Sequence, residues 1–294
     1  MKDNLAAYAY FAGWRLVRWL PEKTAYRLAY GAADFLTKRN GKSVSRLRSN
    51  LKRTQPDIST KELDSLVFKA MRSYMRYWCD TFRFPDWSAE RVRTTVSVNN
   101  EHLLLDAISA KTGVIVSLPH AGNWDHAGAY FCAKGIDLVT VAERLKPEKL
   151  FLKFLEYRQA MGMEVLPLDG KVMGTLAQRL RQGSLVALVA DRDLSRSGIA
   201  VNFFGGPSRM PAGPALLAIK TSAPLITAFV SYKESGIHID FQEVLIPSVG
   251  TDEEKILEIV QTTAQHFEAG ISQHPEDWHM LQRIWTDGDF VERA

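Results

Sequence analysis

From Val114 to Ala190 the chain alternates apolar runs too short to be helices with segments of helical periodicity. Val114–Leu118, Leu138–Val141, Glu164–Leu168 and Leu185–Ala190 read as strands; Asp125–Lys134, Leu150–Met161 and Val172–Gln182 read as helices between them. Such alternation with short connections builds an α/β sheet with several parallel strands and helices on its faces. The first and last of these runs are apolar throughout, as strands covered on both faces must be. A strand at Thr94–Val98 and a helix at Glu101–Lys111 precede them. Pro224–Tyr232 and Ile237–Leu245, split by Lys-Glu-Ser-Gly, read as a terminal antiparallel hairpin, followed by a helix over 251–270 and a Trp-rich tail.

The first 84 residues have a different pattern. Segments 4–19, 22–38, 44–54 and 60–83 carry apolar residues at helical spacing and stop at Pro21, Gly41, Pro56 and Pro85. Ser59 and Glu62 have capping-box spacing at the start of the fourth. With no repeat or low-complexity tract in 294 residues, the simplest parse is one domain over 1–294. Residues 1–84 form a helical, basic segment and 94–294 an α/β core: a central, mostly parallel sheet with an antiparallel hairpin, flanked by helices.

Charge is unevenly distributed. Residues 1–55 hold twelve Lys and Arg against three acids, and 251–294 hold ten acids against three bases, within a net charge of +4. A basic end of this kind suits an anionic surface. Leu5 to Trp14 is almost unbroken apolar sequence, after which Arg15 and Arg18 alternate with Leu16, Val17, Trp19 and Leu20. The stretch is too short to span a bilayer, and it lacks the small residues of a signal cleavage site. Tyr, Trp and Arg together suit an interfacial helix, favouring an anionic membrane surface over nucleic acid. The two cysteines, Cys79 and Cys132, imply neither a disulfide framework nor a zinc site.

Polar residues with proton-transfer chemistry gather at strand ends. His120 follows one apolar run and Asp191-Arg192-Asp193 follows another, and ligands of open α/β sheets bind beyond the carboxyl ends of the strands. A histidine held by a carboxylate is a general base able to deprotonate a hydroxyl. Two carboxylates can serve: Asp125, five residues on, and Asp191. No serine sits in a Gly-x-Ser-x-Gly elbow and Cys132 lacks an activating neighbour, so the substrate's own hydroxyl is the expected nucleophile. Two rival classes stay open. His120, Asp125, His126, Asp191 and Asp193 are numerous enough for a metallohydrolase, although the run from Asp191 fails the calcium-loop pattern at Arg196 and Asn202. A non-catalytic lipid-binding module is the other.

The glycines and prolines of Val201–Pro214 would let a backbone approach a ligand ahead of a helix start, or simply make a tight connection. Arg144, Lys146, Lys149, Lys153, Arg158, Arg192, Arg196 and Arg209 lie around the expected site, and a phosphate-bearing acyl donor such as coenzyme A needs such groups. Arg158, set among Phe151, Phe154, Leu155 and Tyr157, stands out.

Four motifs occur in order: Ser-Leu-Pro-His120-Ala-Gly-Asn-Trp-Asp125; Glu156-Tyr-Arg158 leading to Gly162-Met-Glu-Val-Leu-Pro-Leu; Asp191-Arg-Asp193; and Val201-Asn-Phe-Phe-Gly. With them the chain resembles the bacterial lysophospholipid acyltransferase-like group that includes the lipid A late acyltransferases. The tail Pro275-Glu-Asp-Trp278-His-Met-Leu-Gln-Arg-Ile-Trp285 is similar to that of its actinobacterial branch, the phosphatidylinositol mannoside acyltransferases. The resemblance covers nearly the whole chain. It implies transfer of a long fatty acyl group from acyl-CoA to a mannose hydroxyl of a phosphatidylinositol mannoside, at the cytoplasmic face of the plasma membrane, with no cofactor or metal.

By the same resemblance His120 is the general base, Asp191 its charge relay, Asp125 the motif acid that orients the histidine or shapes the site, and Arg158 the site arginine. Asn123, Arg192, Asp193 and Arg209 join Arg158 as candidate substrate-binding residues. The acyl chain is expected in an apolar groove between the sheet and a helix. One position departs from the pattern: the mannoside branch carries glutamate where this chain has Asp191, as the lipid A relatives do. The shorter side chain demands a backbone closer by about 1.5 Å, roughly one bond length.

Overall fold

The computed structural model describes residues 13–143, 148–193 and 197–287. Residues 4–12 of the first expected helix, together with Arg144, Lys146 and Arg196, lie outside that range. After a helical stretch at 13–19 come α1 (Glu22–Arg39), α2 (Lys42–Thr54) and α3 (Thr60–Arg83). The capping box at the head of α3 is formed: Ser59 Oγ accepts the Glu62 N–H at 3.3 Å, and Glu62 Oε2 accepts the Ser59 N–H at 3.1 Å. These helices bury Ala33, Leu47, Leu51, Leu63, Val67 and Met71 in a core of their own.

The alternating region folds as its pattern demands. It comprises α4 (Ala89–Thr94), β1 (Val96–Asn99), α5 (His102–Ser109), β2 (Val114–Leu118), α6 (Trp124–Ala133), β3 (Leu138–Ala142), α7 (Glu148–Ala160), β4 (Glu164–Pro167), α8 (Val172–Arg181) and β5 (Leu185–Val189). Then follow β6 (Ile199–Phe203), β7 (Gly206–Met210), α9 (Gly213–Thr221), β8 (Leu225–Tyr232), β9 (Ile237–Val244) and α10 (Asp252–Gln273). Seven strands form one sheet in the order β1-β9-β8-β2-β5-β3-β4. All neighbours are parallel except β8 and β9. The expected hairpin is therefore last among the strands in sequence but internal to the sheet, with β1 covering its outer edge.

Side chains on β2 alternate between two cores. Val114, Val116 and Leu118 pack with Val92, Leu104, Ala127 and Tyr157 from α4 to α7. Ile115 points the other way, toward Leu176, Leu217 and Phe267 of α8, α9 and α10. Every residue of β2 is buried, so the strand is apolar on both faces because both faces are covered.

One stretch that the sequence left open between a ligand loop and a tight connection folds as a hairpin. Val201–Pro214 contains most of a second, two-stranded sheet, β6 paired antiparallel with β7. Phe204 and Gly205 both have positive φ, the pattern of a two-residue hairpin turn. Phe204 and Gly205 here serve chain reversal. The tail crosses this hairpin: Trp285 Nε1–H donates to Phe203 O at 2.8 Å and Ser208 Oγ donates to Ile284 O at 2.8 Å.

Candidate active site

β2 and β5 are adjacent and parallel, with Leu118 opposite Val189 at their carboxyl ends. Two residues further along each strand stand His120 and Asp191, so the ladder itself brings them together. His120 Nδ1 lies 2.6 Å from Asp191 Oδ1, and the His120 backbone N–H donates to Oδ2 at 3.0 Å. The shorter aspartate reaches its partner because the ladder sets the two backbones side by side. Asp191 is fully buried, whereas the His120 side chain is 40% exposed. With Nδ1 engaged, Nε2 is the nitrogen left to take a substrate proton.

Burial alone would raise the Asp191 carboxyl. The charge of His120, its two hydrogen bonds and the Trp278 indole outweigh burial and hold the carboxyl below the usual carboxylate value. Trp278 Nε1–H donates to Asp191 Oδ2 at 3.0 Å from a fully buried position.

The turn after His120 is pinned by the tail. The Gly122 N–H donates to Asp277 O at 2.9 Å and the His279 N–H to His120 O at 2.7 Å. Gly122 has φ of 56°, and a side chain there would collide with the Val230 carbonyl, so the turn requires glycine. Behind it, Ser73 Oγ donates to Asp277 Oδ1 at 2.6 Å and lies 2.9 Å from His279 Nε2. Burial pushes the Asp277 carboxyl up to about 6 and the His279 imidazole down to about 3.

Asp125 is not the partner of His120. It sits in the first turn of α6, where its Oδ1 accepts Arg158 Nε–H at 2.8 Å and its Oδ2 accepts the Tyr77 hydroxyl at 2.9 Å. The turn through Gly122 and Asn123 rotates it toward α3 and α7, so of the two candidate carboxylates Asp191 is the one that meets His120. The Asp125 side chain is 2% exposed and that of Arg158 19%. Burial would lower the Arg158 pKa, and the charge of Asp125 raises it.

Asn123 is placed as the N-cap of α6. Its Oδ1 accepts the His126 N–H at 3.0 Å and its Nδ2 donates to Asp80 at 3.3 Å, with 1% of the residue exposed. Both ends of the amide are thus occupied by protein, which argues against direct substrate contact. His126 turns away toward Val92 O, 3.2 Å from its Nε2, and burial holds its pKa at about 4. Asp193 is joined to β7 through its N–H and Arg209 O at 2.8 Å. Of the five residues of the metallohydrolase reading, His120 and Asp191 stand together, whereas Asp125 and His126 turn to other partners. Among the described residues no group of three or more His, Cys, Asp or Glu is gathered for a metal. Arg192 and Arg209 lie half-buried beside the Asp191 segment.

A narrow cavity of about 70 Å³ runs between the sheet and α6, lined almost entirely by apolar side chains. Asp125 and Arg158 are its charged lining residues, and Leu118 and Val189, each two residues before a member of the His120–Asp191 pair, line it as well. Tyr77 and Trp278 were not singled out from sequence as site residues. A buried indole needs a partner for its N–H, and that was the one available signal for Trp278.

A buried carboxylate holding a half-exposed histidine at the carboxyl edge of a parallel sheet is an arrangement able to take a proton from a hydroxyl. The chain belongs to the family of bacterial lipid A biosynthesis acyltransferases, whose profile matches residues 2–287, and it is an acyltransferase. It is 40% identical over 279 residues to the phosphatidylinositol mannoside acyltransferase of Mycolicibacterium smegmatis (strain ATCC 700084 / mc(2)155), covering 94% of this chain and 90% of that protein. It is 38% identical over 283 residues to the phosphatidylinositol mannoside acyltransferase of Mycobacterium tuberculosis (strain CDC 1551 / Oshkosh), covering 95% of this chain and 88% of the relative.

Proposed function

We propose that the protein transfers a long fatty acyl group from acyl-CoA to a mannose hydroxyl of a phosphatidylinositol mannoside. The single observation that carries this reading is the His120–Asp191 pair, two residues beyond Leu118 and Val189, which line the apolar cavity under α6. The relatives' acceptor supplies the substrate class.

In this mechanism His120 Nε2 takes the proton of the mannose hydroxyl as its oxygen attacks the thioester carbonyl. Asp191 stabilises the imidazolium that forms. The tetrahedral oxyanion draws on Arg158, which lines the cavity and whose Nε is fixed by Asp125. Collapse breaks the C–S bond and leaves the new ester, and the imidazolium returns its proton to the departing CoA thiolate. The residues supply all of the proton transfer, and the step draws on no metal or cofactor.

Contact with an anionic membrane at the cytoplasmic face completes the reading. Its support is the exposed apolar set Leu16, Trp19, Leu28, Phe35 and Leu36. Arg15, Arg18, Lys23, Arg27, Lys38 and Arg39 lie on the same two helical stretches. Among the described residues no helix is long and apolar enough to cross a membrane.

A second acceptor, a lipid A-type disaccharide, is favoured by one observation: the relay residue is aspartate. The deciding experiment incubates the protein with acyl-CoA and a panel of both glycolipid types, reading products by mass spectrometry and release of CoA thiol. Acylated mannoside with stoichiometric thiol release is expected. Thiol release without an acylated glycolipid would overturn the reading.

A further inference from the structure

The cavity under α6 exists because small residues face each other across it: Ala187 and Ala228 from the sheet, Ala127 and Gly128 from the helix. Depth along it can be read from the ladders. Leu138 pairs with Leu185 at the amino ends of β3 and β5, six residues before Asp191. At about 3.3 Å per residue that is roughly 20 Å from the His120–Asp191 pair.

At this level of the sheet stands a flexible residue whose side chain reaches across to α6. Met163 precedes β4, whose Glu164 pairs with Val139, so Met163 stands level with Leu138. It is 5% exposed. A Cβ placed on Gly128 would lie 2.5 Å from Met163 Cε and 3.4 Å from both Met163 Sδ and Leu138 Cδ1. The thioether is therefore seated against the helix where α6 lacks a side chain. With only about 70 Å³ open, a long chain has to displace lining groups. An unbranched methionine is the lining residue best able to yield.

We propose that Met163, seated against Gly128, sets the length of acyl chain that the protein accepts. The inference rests on the acyl-transfer reading of the cavity and adds to it the residue that limits its depth. Two substitutions push in opposite directions. Met163→Ala opens the floor, whereas Gly128→Ala adds a methyl that drives the thioether into the chain's path. The double variant returns toward the wild-type length, because the new methyl occupies part of the space that the thioether left.

The test offers the full-length protein an equimolar mixture of saturated acyl-CoAs, from short to very long, with a glycolipid acceptor, and reads the products by mass spectrometry. The long-to-short product ratio should rise about tenfold in Met163→Ala and fall comparably in Gly128→Ala, the scale on which a methylene in a pocket discriminates. A wild-type ratio in either folded variant overturns the proposal. Should those variants fail to fold, Met163→Leu, a near-isosteric change, should narrow the accepted range, and an unchanged range overturns the proposal. Native mass spectrometry of the same variants with free fatty acids of graded length should give the same order. That readout is independent of turnover, so an error about the acyl donor is distinguishable from an error about Met163.

Discussion

His120 and Asp191 are 71 positions apart in the chain, yet their side chains are 2.6 Å apart. The β2–β5 ladder keeps the same offset, from Val114 opposite Leu185 to Leu118 opposite Val189. The pair is the next rung but one.

That relationship predicts non-additive losses. His120→Ala should lower kcat by about 10²–10⁴-fold, the range for removing a general base. Asp191→Asn keeps the shape but removes the charge that stabilises the imidazolium, and it should lower kcat with little change in KM. The double variant should lose no more than the more damaged single, because the two groups act as one unit. Steady-state kinetics on all three check this, and multiplicative losses would show independent roles.

Trp278 offers a finer probe. Trp278→Phe removes one N–H donor to Asp191 Oδ2 while keeping most of the ring. Hydrogen bonds to charged groups contribute about 1.5–3 kcal/mol. Losing this one should raise the Asp191 pKa, so the ionised carboxylate is lost at a higher pH as acid is added. Because His120 and Asp191 titrate as a coupled pair, a carboxylate with one donor fewer makes the pair take up its proton more readily, and the acidic limb of the kcat profile should move to higher pH. A limb that stays in place with lowered stability would assign the indole a packing role only.

The reach of the sequence differed from element to element for physical reasons. Strand–helix alternation exposed β2, β5 and the position of His120, because two-sided burial writes continuous apolar runs. The Ser59–Glu62 box was visible because both partners are local. The partner of His120 depended on which strands are neighbours. Five-residue spacing put Asp125 in contention, yet only the turn through Gly122 reveals that it faces Arg158 and Tyr77. The β6–β7 hairpin was hidden by its glycines and prolines, which suit a turn and a ligand loop equally. Tyr77 and Trp278 reach the site from distant segments, and nothing in their local sequence marks that destination.

The Asp125–Arg158 pair should behave as a buried ion pair. Arg158→Met alone leaves a buried carboxylate without its cation and should cost about 3–5 kcal/mol of stability. Pairing it with Asp125→Asn removes the orphaned charge and should recover much of that loss. Activity should stay low in the double variant if the guanidinium stabilises the oxyanion. Urea denaturation and turnover measured on the same samples separate the two roles. Recovery of both would make Arg158 purely structural.

Acid stability should be governed by two histidines that take no part in proton transfer. In the folded protein His126 and His279 remain neutral down to about 4 and about 3, because burial disfavours their charged forms. Unfolded, both take up protons near pH 6.5. The unfolded chain therefore binds more protons below that pH, and stability falls as pH falls. Asp277, raised to about 6, acts in the opposite sense and cancels one of the two between roughly pH 6 and 4. From these three groups one net proton remains, a slope of about 1.4 kcal/mol per pH unit. His126→Gln removes one of the two histidines and should flatten stability across that window. Urea midpoints at successive pH values decide it: an unchanged slope in the variant would mean that His126 is already protonated in the fold.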